Sequence, residues 1–226
     1  MKVNEIFYSL QGEGKLKGLP TVFVRLQGCN IGCDYCDTKY ALSSREGKDC
    51  SVTDILKRVW ELTDKRLSWI CITGGEPLLQ SKELELLVRI LYYGDYRLTI
   101  ETNGTLPFPF WGSLVESWNV DYKGPSSGFE ARFDSSWLSH LSVKDQLKFV
   151  VKDPVDLNFL VEAVKEHNIE SSLIYVSPIM DIVRTNGVVT ISNPDFLEEV
   201  WNLCVREGYR FTLQDHKIVF GSKIGV

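Results

Sequence analysis

The stretch Thr21-Val22-Phe23-Val24-Arg25-Leu26-Gln27-Gly28-Cys29-Asn30-Ile31-Gly32-Cys33-Asp34-Tyr35-Cys36 sets the reading of the whole chain. Its first part, Thr21 to Gln27, is rich in β-branched and aromatic side chains and reads as a strand. The loop after it crowds three cysteines into eight residues with the spacing C-x3-C-x2-C. Thiolates are soft ligands that suit zinc or iron–sulfur clusters. A structural zinc site wants four closed ligands, usually in two separated pairs, and no second pair follows here. Three thiolates on a four-iron cube would leave one iron open, which is useful only if something else coordinates it.

The other cysteines, at 50, 71 and 204, are scattered. Six in 226 residues are too sparse and uneven for a secreted disulfide scaffold. Cys71 lies in an apolar strand pattern and Cys204 on a helical apolar face, so both are expected in the core; Cys50 is given no role. The chain has 25 Lys and Arg against 30 Asp and Glu, a net charge of −5. That balance argues against duplex nucleic acid as the main partner, because phosphate needs a basic footprint. With 44% apolar and 24% charged residues the composition is that of a globular protein. No apolar run approaches the length that spans a bilayer. The start, Met1 to Ile6, lacks the apolar stretch of a secretory signal, so a cytoplasmic protein without a membrane partner is expected.

Strand-like runs recur at about 20–28, 68–73, 96–101, 118–122, 147–151, 172–177 and 210–214. Helical faces lie between several of them: Ile55, Leu56, Val59, Trp60 and Leu62; Leu84, Leu87 and Leu91; Leu157, Leu160, Val161 and Val164. Asn193-Pro194 reads as an N-cap and first helical position, opening a helix with Leu197, Val200, Trp201 and Cys204 inward and Gly208 as its stop. Alternating β and α elements imply parallel strands with right-handed crossovers. An open doubly wound sheet and an incomplete βα barrel both suit this order. The barrel is favoured because the unusual residues all fall just after strands, the face on which barrel enzymes carry their chemistry. The expected fold is therefore α/β, a partial (β/α)6 barrel, with residues 1–226 forming one domain.

Those unusual residues form a series. The strand Trp69 to Thr73 runs into Gly74-Gly75-Glu76-Pro77, where bare backbone can approach a ligand closely. Later strands end in Glu101-Thr102-Asn103-Gly104 and in Asp121-Tyr122-Lys123-Gly124-Pro125-Ser126. Each alone passes for an ordinary turn. Two further segments stand at the ends: Leu10-Gln11-Gly12-Glu13-Gly14, and Gln214-Asp215-His216-Lys217. Taken singly, Glu13 is an exposed turn residue, Arg25 a strand residue paired to an acid, Thr38 a cap beside Asp37, and His216 a structural histidine.

The cysteine spacing, with an aromatic residue before the last Cys, resembles the signature of the radical S-adenosylmethionine (SAM) superfamily. Five separated motifs in one order, from residue 5 to about 217, resemble the 7-carboxy-7-deazaguanine synthase family. The stretch Ile179 to Ser192 matches none of its motifs, and the tail from Ile218 runs on past the His-Lys pair. The resemblance implies a 4Fe-4S cluster on Cys29, Cys33 and Cys36, carried by a loop over 29–40. It implies SAM contacts at Tyr35, Cys36, Asp37, Gly75, Glu76, Glu101, Asn103, Asp121, Lys123, Ser126, Ser177 and Pro178. It places Mg2+ on Thr38. For the substrate, 6-carboxy-5,6,7,8-tetrahydropterin, it implies an N-terminal segment over 1–20 and contacts at Leu10, Gln11, Gly12, Glu13, Arg25, Thr73 and His216. Glu13 would accept two N–H donors of the amino-pyrimidine edge, and Arg25 would present its planar fork to the carboxylate.

The implied reaction is a carbon–nitrogen lyase ring contraction. An electron from a donor such as flavodoxin cleaves SAM, the resulting radical takes hydrogen from the pterin, the ring contracts and ammonia leaves. A homodimer is implied too. Two other readings stay open at this point. A glycyl-radical activase would need a protein-docking surface and would leave Glu13, Arg25 and His216 unexplained. A zinc-binding interaction module would be colourless, whereas an iron–sulfur protein is brown.

Overall fold

Residues 1–63, 69–180, 182–185, 188–191, 193–221 and 223–225 are described by a computed structural model. In chain order the elements are β1 (Lys2–Leu10), β2 (Pro20–Leu26), β3 (Lys48–Asp49), α1 (Val52–Thr63), β4 (Trp69–Gly74), α2 (Ser81–Tyr93) and β5 (Arg97–Thr102). They continue with β6 (Ser117–Asp121), β7 (Gln146–Val151), α3 (Pro154–Glu166), β8 (Ile174–Pro178), β9 (Ile182–Thr185), β10 (Val188–Ile191), α4 (Pro194–Glu207), β11 (Arg210–Phe211) and α5 (Asp215–Phe220).

Each of the seven apolar runs holds a strand, and all seven pair in parallel in the order β2-β4-β5-β6-β7-β8-β11. Among the described residues β11 and β3 end the sheet without pairing to each other, so the barrel is partial. Its strands read as near-continuous apolar runs because both faces are covered. Val22, Val24 and Leu26 on β2, Ile70 and Ile72 on β4, and Ile100 on β5 are all fully buried. Each such side chain contributes about 1.5–3 kcal/mol, which makes the sheet a rigid platform for the loops it carries.

Helices cover four of the crossovers, α1 between β2 and β4, α2 between β4 and β5, α3 between β7 and β8, and α4 before β11. The β5–β6 and β6–β7 connections hold short 3-10 turns in place of an α-helix, at Gly112–Leu114 and at Pro125–Ser127, Glu130–Arg132 and Ser135–Ser139. The predicted faces of α2 and α3 point inward, with Leu84, Leu87, Leu91, Leu157 and Leu160 buried. Two expectations are corrected. Trp60 is 57% exposed, so the α1 face centres on Ile55 and Val59. Trp201 is 55% exposed; α4 buries Phe196, Val200, Leu203 and Cys204, and the Trp201 ring meets Phe211 of the edge strand edge-on at 5.3 Å. Asn193 does sit before Pro194, but in the left-handed region (φ 62°) with no side-chain capping bond. Gly208 ends the helix with φ 73°, a value that favours glycine. Cys71 and Cys204 are buried as expected.

Several elements were absent from the sequence reading, the C-terminal helix α5 among them. β1 runs antiparallel to β2 and carries β3 on its outer side. The segment without a motif holds the β9–β10 hairpin, a separate two-stranded sheet; its residues 181, 186, 187 and 192 lie outside the described set. No helix is long and apolar enough to cross a membrane among the described residues.

Candidate active site

A cavity of about 870 Å³ opens at the C-terminal ends of the parallel strands, roofed by the loop after β2, the segment after β1 and the C-terminal helix α5. The loop after β2 is pinned by backbone bonds from Gly28 N to Ala41 O (2.8 Å), Cys29 N to Leu42 O (3.1 Å) and Cys36 N to Cys33 O (3.0 Å). So held, it turns Cys29, Cys33 and Cys36 onto one wall of the cavity. Among the described residues no three Cys, His, Asp or Glu side chains converge as a single ion requires. A four-iron cube, with its irons at separate corners, takes ligands that stand apart. Three free thiols lining one cavity are a donor set that fits a cluster of that kind.

Gly75 faces the same wall. A Cβ there would lie 2.3 Å from Gly28 O and 2.8 Å from Cys29 Cβ, so only glycine allows the two loops to meet. Their backbones bond directly, Glu76 N to Gly28 O at 2.8 Å. Glu76 itself is fully buried and does not reach the cavity. Its carboxylate accepts from Asn103 N (2.7 Å), Leu78 N (2.9 Å) and Thr102 Oγ1 (2.9 Å), and so locks the β4 and β5 loops together. Burial pushes this carboxyl up to about 7, against the pull of those three bonds. Asn103 lines the cavity, its Nδ2 donating to Asn30 Oδ1 (3.0 Å) and lying 3.8 Å from Cys29 Sγ.

Of the remaining residues expected at SAM, Tyr35, Asp37, Glu101, Asp121 and Lys123 line the cavity, while Ser126, Ser177 and Pro178 do not. Ser126 N donates to Asp156 Oδ1 at 2.9 Å. Ser177 and Pro178 end β8 in buried positions, and beyond them Ile179, Met180 and Ile182 reach the cavity. Lys123 Nζ pairs with Asp121 Oδ2 at 2.8 Å. Glu101 stands with the expected substrate residues, accepting from Thr73 Oγ1 (2.8 Å) and Gln11 Nε2 (3.1 Å).

The structure brings Leu10, Gln11, Gly12, Glu13, Arg25, Thr73 and His216 together on the cavity. Gly12 is seated so closely on α5 that a Cβ would lie 2.7 Å from His216 Nδ1, and Gly12 O accepts from Asp215 N at 3.1 Å. Glu13 Oε1 accepts from Gln214 Nε2 at 2.7 Å, and Glu13 Oε2 pairs with Lys148 Nζ at 3.0 Å. Burial alone would raise the Glu13 carboxyl; the Lys148 ammonium, His216 and the Gln214 bond outweigh it and hold the group below its usual range. Arg25 is paired to an acid and also lines the cavity. Its Nε donates to Glu5 Oε1 at 2.8 Å, and its guanidinium lines the cavity between the rings of Phe7 (6.0 Å) and Tyr40 (5.9 Å).

Thr38 Oγ1 donates to Asp37 Oδ1 at 2.9 Å, and Asp37 Oδ2 meets Lys217 Nζ at 2.9 Å. Both Thr38 and Asp37 line the cavity, a hydroxyl and a carboxylate side by side, which are hard donors of the kind magnesium takes. Lys148 was missed by the sequence reading. A lysine inside the apolar run Leu147-Lys148-Phe149-Val150-Val151 was the signal; a charge in a buried strand needs a partner.

A model of the radical SAM superfamily matches residues 23–118. A protein of Methanospirillum hungatei named 7-carboxy-7-deazaguanine synthase is 42% identical over 79% of this chain and 73% of its own. One of Thermoplasma acidophilum with the same name is 34% identical over 100% of both chains. Among solved structures, QueE from Escherichia coli is similar with a TM-score of 0.69 and 25% identity, covering 94% of this chain and 93% of that one. Streptococcus suis SuiB bound to S-adenosylmethionine shares the fold, with a TM-score of 0.54 over 83% of this chain and 48% of its own at 15% identity. One relative at 34% identity spans the whole chain and one at 42% spans 79% of it, the three cysteines line one cavity, and the chain belongs to the 7-carboxy-7-deazaguanine synthase family of radical SAM enzymes.

Proposed function

We propose that this chain converts 6-carboxy-5,6,7,8-tetrahydropterin to 7-carboxy-7-deazaguanine with release of ammonia, in a route to queuosine and other 7-deazapurines. One observation carries the reading. The cavity lined by Cys29, Cys33 and Cys36 is lined also by Glu13, whose carboxylate is fixed by Lys148 and Gln214. A 4Fe-4S cluster with SAM supplies, when bound, a radical able to take hydrogen from carbon. Cys29, Cys33 and Cys36 would hold the cluster. Gly75 and Asn103 would offer SAM close backbone and an amide, and Asp121 with Lys123 a charged pair.

The rest of the work is positioning. Glu13 accepts the N–H groups of the amino-pyrimidine edge, and a fixed acceptor discriminates against analogues that lack those donors. Arg25, its Nε held by Glu5, turns its remaining N–H donors to the substrate carboxylate. Thr73, Gln11 and Glu101, already bonded to one another, make a polar wall beside it. Thr38 supplies a hydroxyl to Mg2+, with Asp37 adjacent. We assign residues 1–226 to one domain, with 1–20 carrying the substrate end and 29–40 the cluster. A reducing cytoplasm suits six free thiols, and a flavodoxin-like donor and a homodimer complete the proposal. Anaerobic turnover of reconstituted protein with SAM, dithionite and the carboxytetrahydropterin, with and without magnesium, tests it through formation of the deazaguanine.

A further inference from the structure

Lys148 lies at the centre of a chain of charges across the cavity floor. Its Nζ stands 3.0 Å from Glu13 Oε2 and 3.2 Å from Asp121 Oδ1, and its side chain is only 11% exposed. On one side Asp121 is also paired to Lys123, at 2.8 Å. On the other, Glu13 is bonded to Gln214, whose Oε1 accepts from Lys217 Nζ at 2.6 Å. The ammonium of Lys148 is thus the link between the carboxylate on the expected cofactor side and the one on the expected substrate side.

We propose that Lys148 is a positioning residue for substrate recognition: its ammonium, ion-paired with Asp121, holds the Glu13 carboxylate in place as an acceptor for the amino-pyrimidine edge. This rests on the substrate reading given above. The reason is chemical. An amino-pyrimidine edge presents N–H donors, so the group facing it must be an acceptor at both oxygens. A carboxyl buried without a cation takes up a proton and then offers a donor to a donor. The groups facing Glu13 are Lys148 from β7, Gln214 and His216 (Nδ1 at 3.9 Å) at the C-terminal helix, and Asp37 from the cluster loop. Lys148 is the nearest full cation among them, and Asp37 opposes it. Around Lys148 itself, Asp121 and Glu101 add negative charge, which keeps its ammonium protonated despite burial.

The test is calorimetric binding of 6-carboxypterin to the cluster-loaded, unreduced protein in two buffers of different ionisation enthalpy. In the wild type the proton count on binding is set by groups other than Glu13. In Lys148→Met, Glu13 is partly protonated before binding, so an extra fraction of a proton leaves on binding near pH 6. The dissociation constant then rises about tenfold for each pH unit below the new Glu13 midpoint. Lys148→Arg keeps the wild-type proton count. The double variant Lys148→Met with Glu13→Gln loses the extra proton. Lys148→Gln, which leaves one donor to Glu13, serves if methionine disturbs the fold. Wild-type binding together with an unchanged proton count in both neutral variants overturns the role of Lys148 alone. Absence of binding to the wild type overturns the substrate reading and this role with it.

Discussion

Gln214 Nε2 donates a 2.7 Å hydrogen bond to Glu13 Oε1, closing a loop of 201 positions between the two ends of the chain. With Asp215 N on Gly12 O, it joins the strand-β1 exit to helix α5, neither of which is part of the parallel sheet, and these two segments carry the Glu13 end of the proposed substrate site. The cluster wall, by contrast, is built on the sheet. Perturbations of the two walls should therefore separate.

Gly75→Ala acts on the cluster wall. The new Cβ meets Gly28 O at 2.3 Å, and backbone joined by the Glu76–Gly28 bond cannot step aside. The variant should keep its circular dichroism spectrum and retain clearly less iron and sulfide per chain after anaerobic reconstitution. Full iron content would show that the loops separate freely.

Glu76 makes stability depend on pH. Its folded carboxyl is raised to about 7 from 4.5, so the folded state holds its proton where the unfolded chain has lost it. Its stabilising contribution is complete below about pH 4.5 and is lost as pH rises towards about 7, by as much as about 3 kcal/mol. Urea unfolding of cluster-free protein at several pH values should show that slope in the wild type. Glu76→Gln should flatten it, although the amide also costs stability at every pH, because its NH2 cannot accept from Asn103 N or Leu78 N.

Arg25→Lys tests the carboxylate contact. A lysine ammonium cannot serve Glu5 and a substrate carboxylate with the same fork. Binding of 6-carboxypterin should weaken by about 10- to 100-fold, while pterin without the carboxylate should bind as it does to the wild type. An equal loss for both ligands would mean that Arg25 only shapes the wall.

Thr38→Val removes one hard donor beside Asp37. A ligand worth about 1.4 kcal/mol should raise the magnesium concentration for half-maximal stimulation about tenfold. The magnesium-free rate should stay as in the wild type.

The parallel sheet was legible because its strands are buried on both faces, and the apolar runs of 20–28 or 147–151 survive in any register. β1 was not, because a bulge between Val3 and Glu5 breaks its two-residue alternation. The phase of α4 was misread at Trp201, whose large ring drew it inward on paper; the structure spends that ring on the exposed edge at Phe211. In the site, motifs that follow strands announced themselves through Cys, Gly and Glu-Thr-Asn. Lys148 carries no motif, and its partners at 13 and 121 are distant in sequence. The SAM contact at Glu76 is implied by resemblance alone, and its motif gave no sign that two backbone N–H groups and one hydroxyl would hold its side chain.

The most direct measurement is anaerobic product formation by the wild type and Glu13→Gln with SAM, dithionite, magnesium and 6-carboxy-5,6,7,8-tetrahydropterin. The wild type should yield 7-carboxy-7-deazaguanine, and Glu13→Gln should show a KM raised about 10-fold or more while still cleaving SAM. A brown wild-type protein that cleaves SAM and leaves the pterin unchanged would contradict the assignment of the substrate.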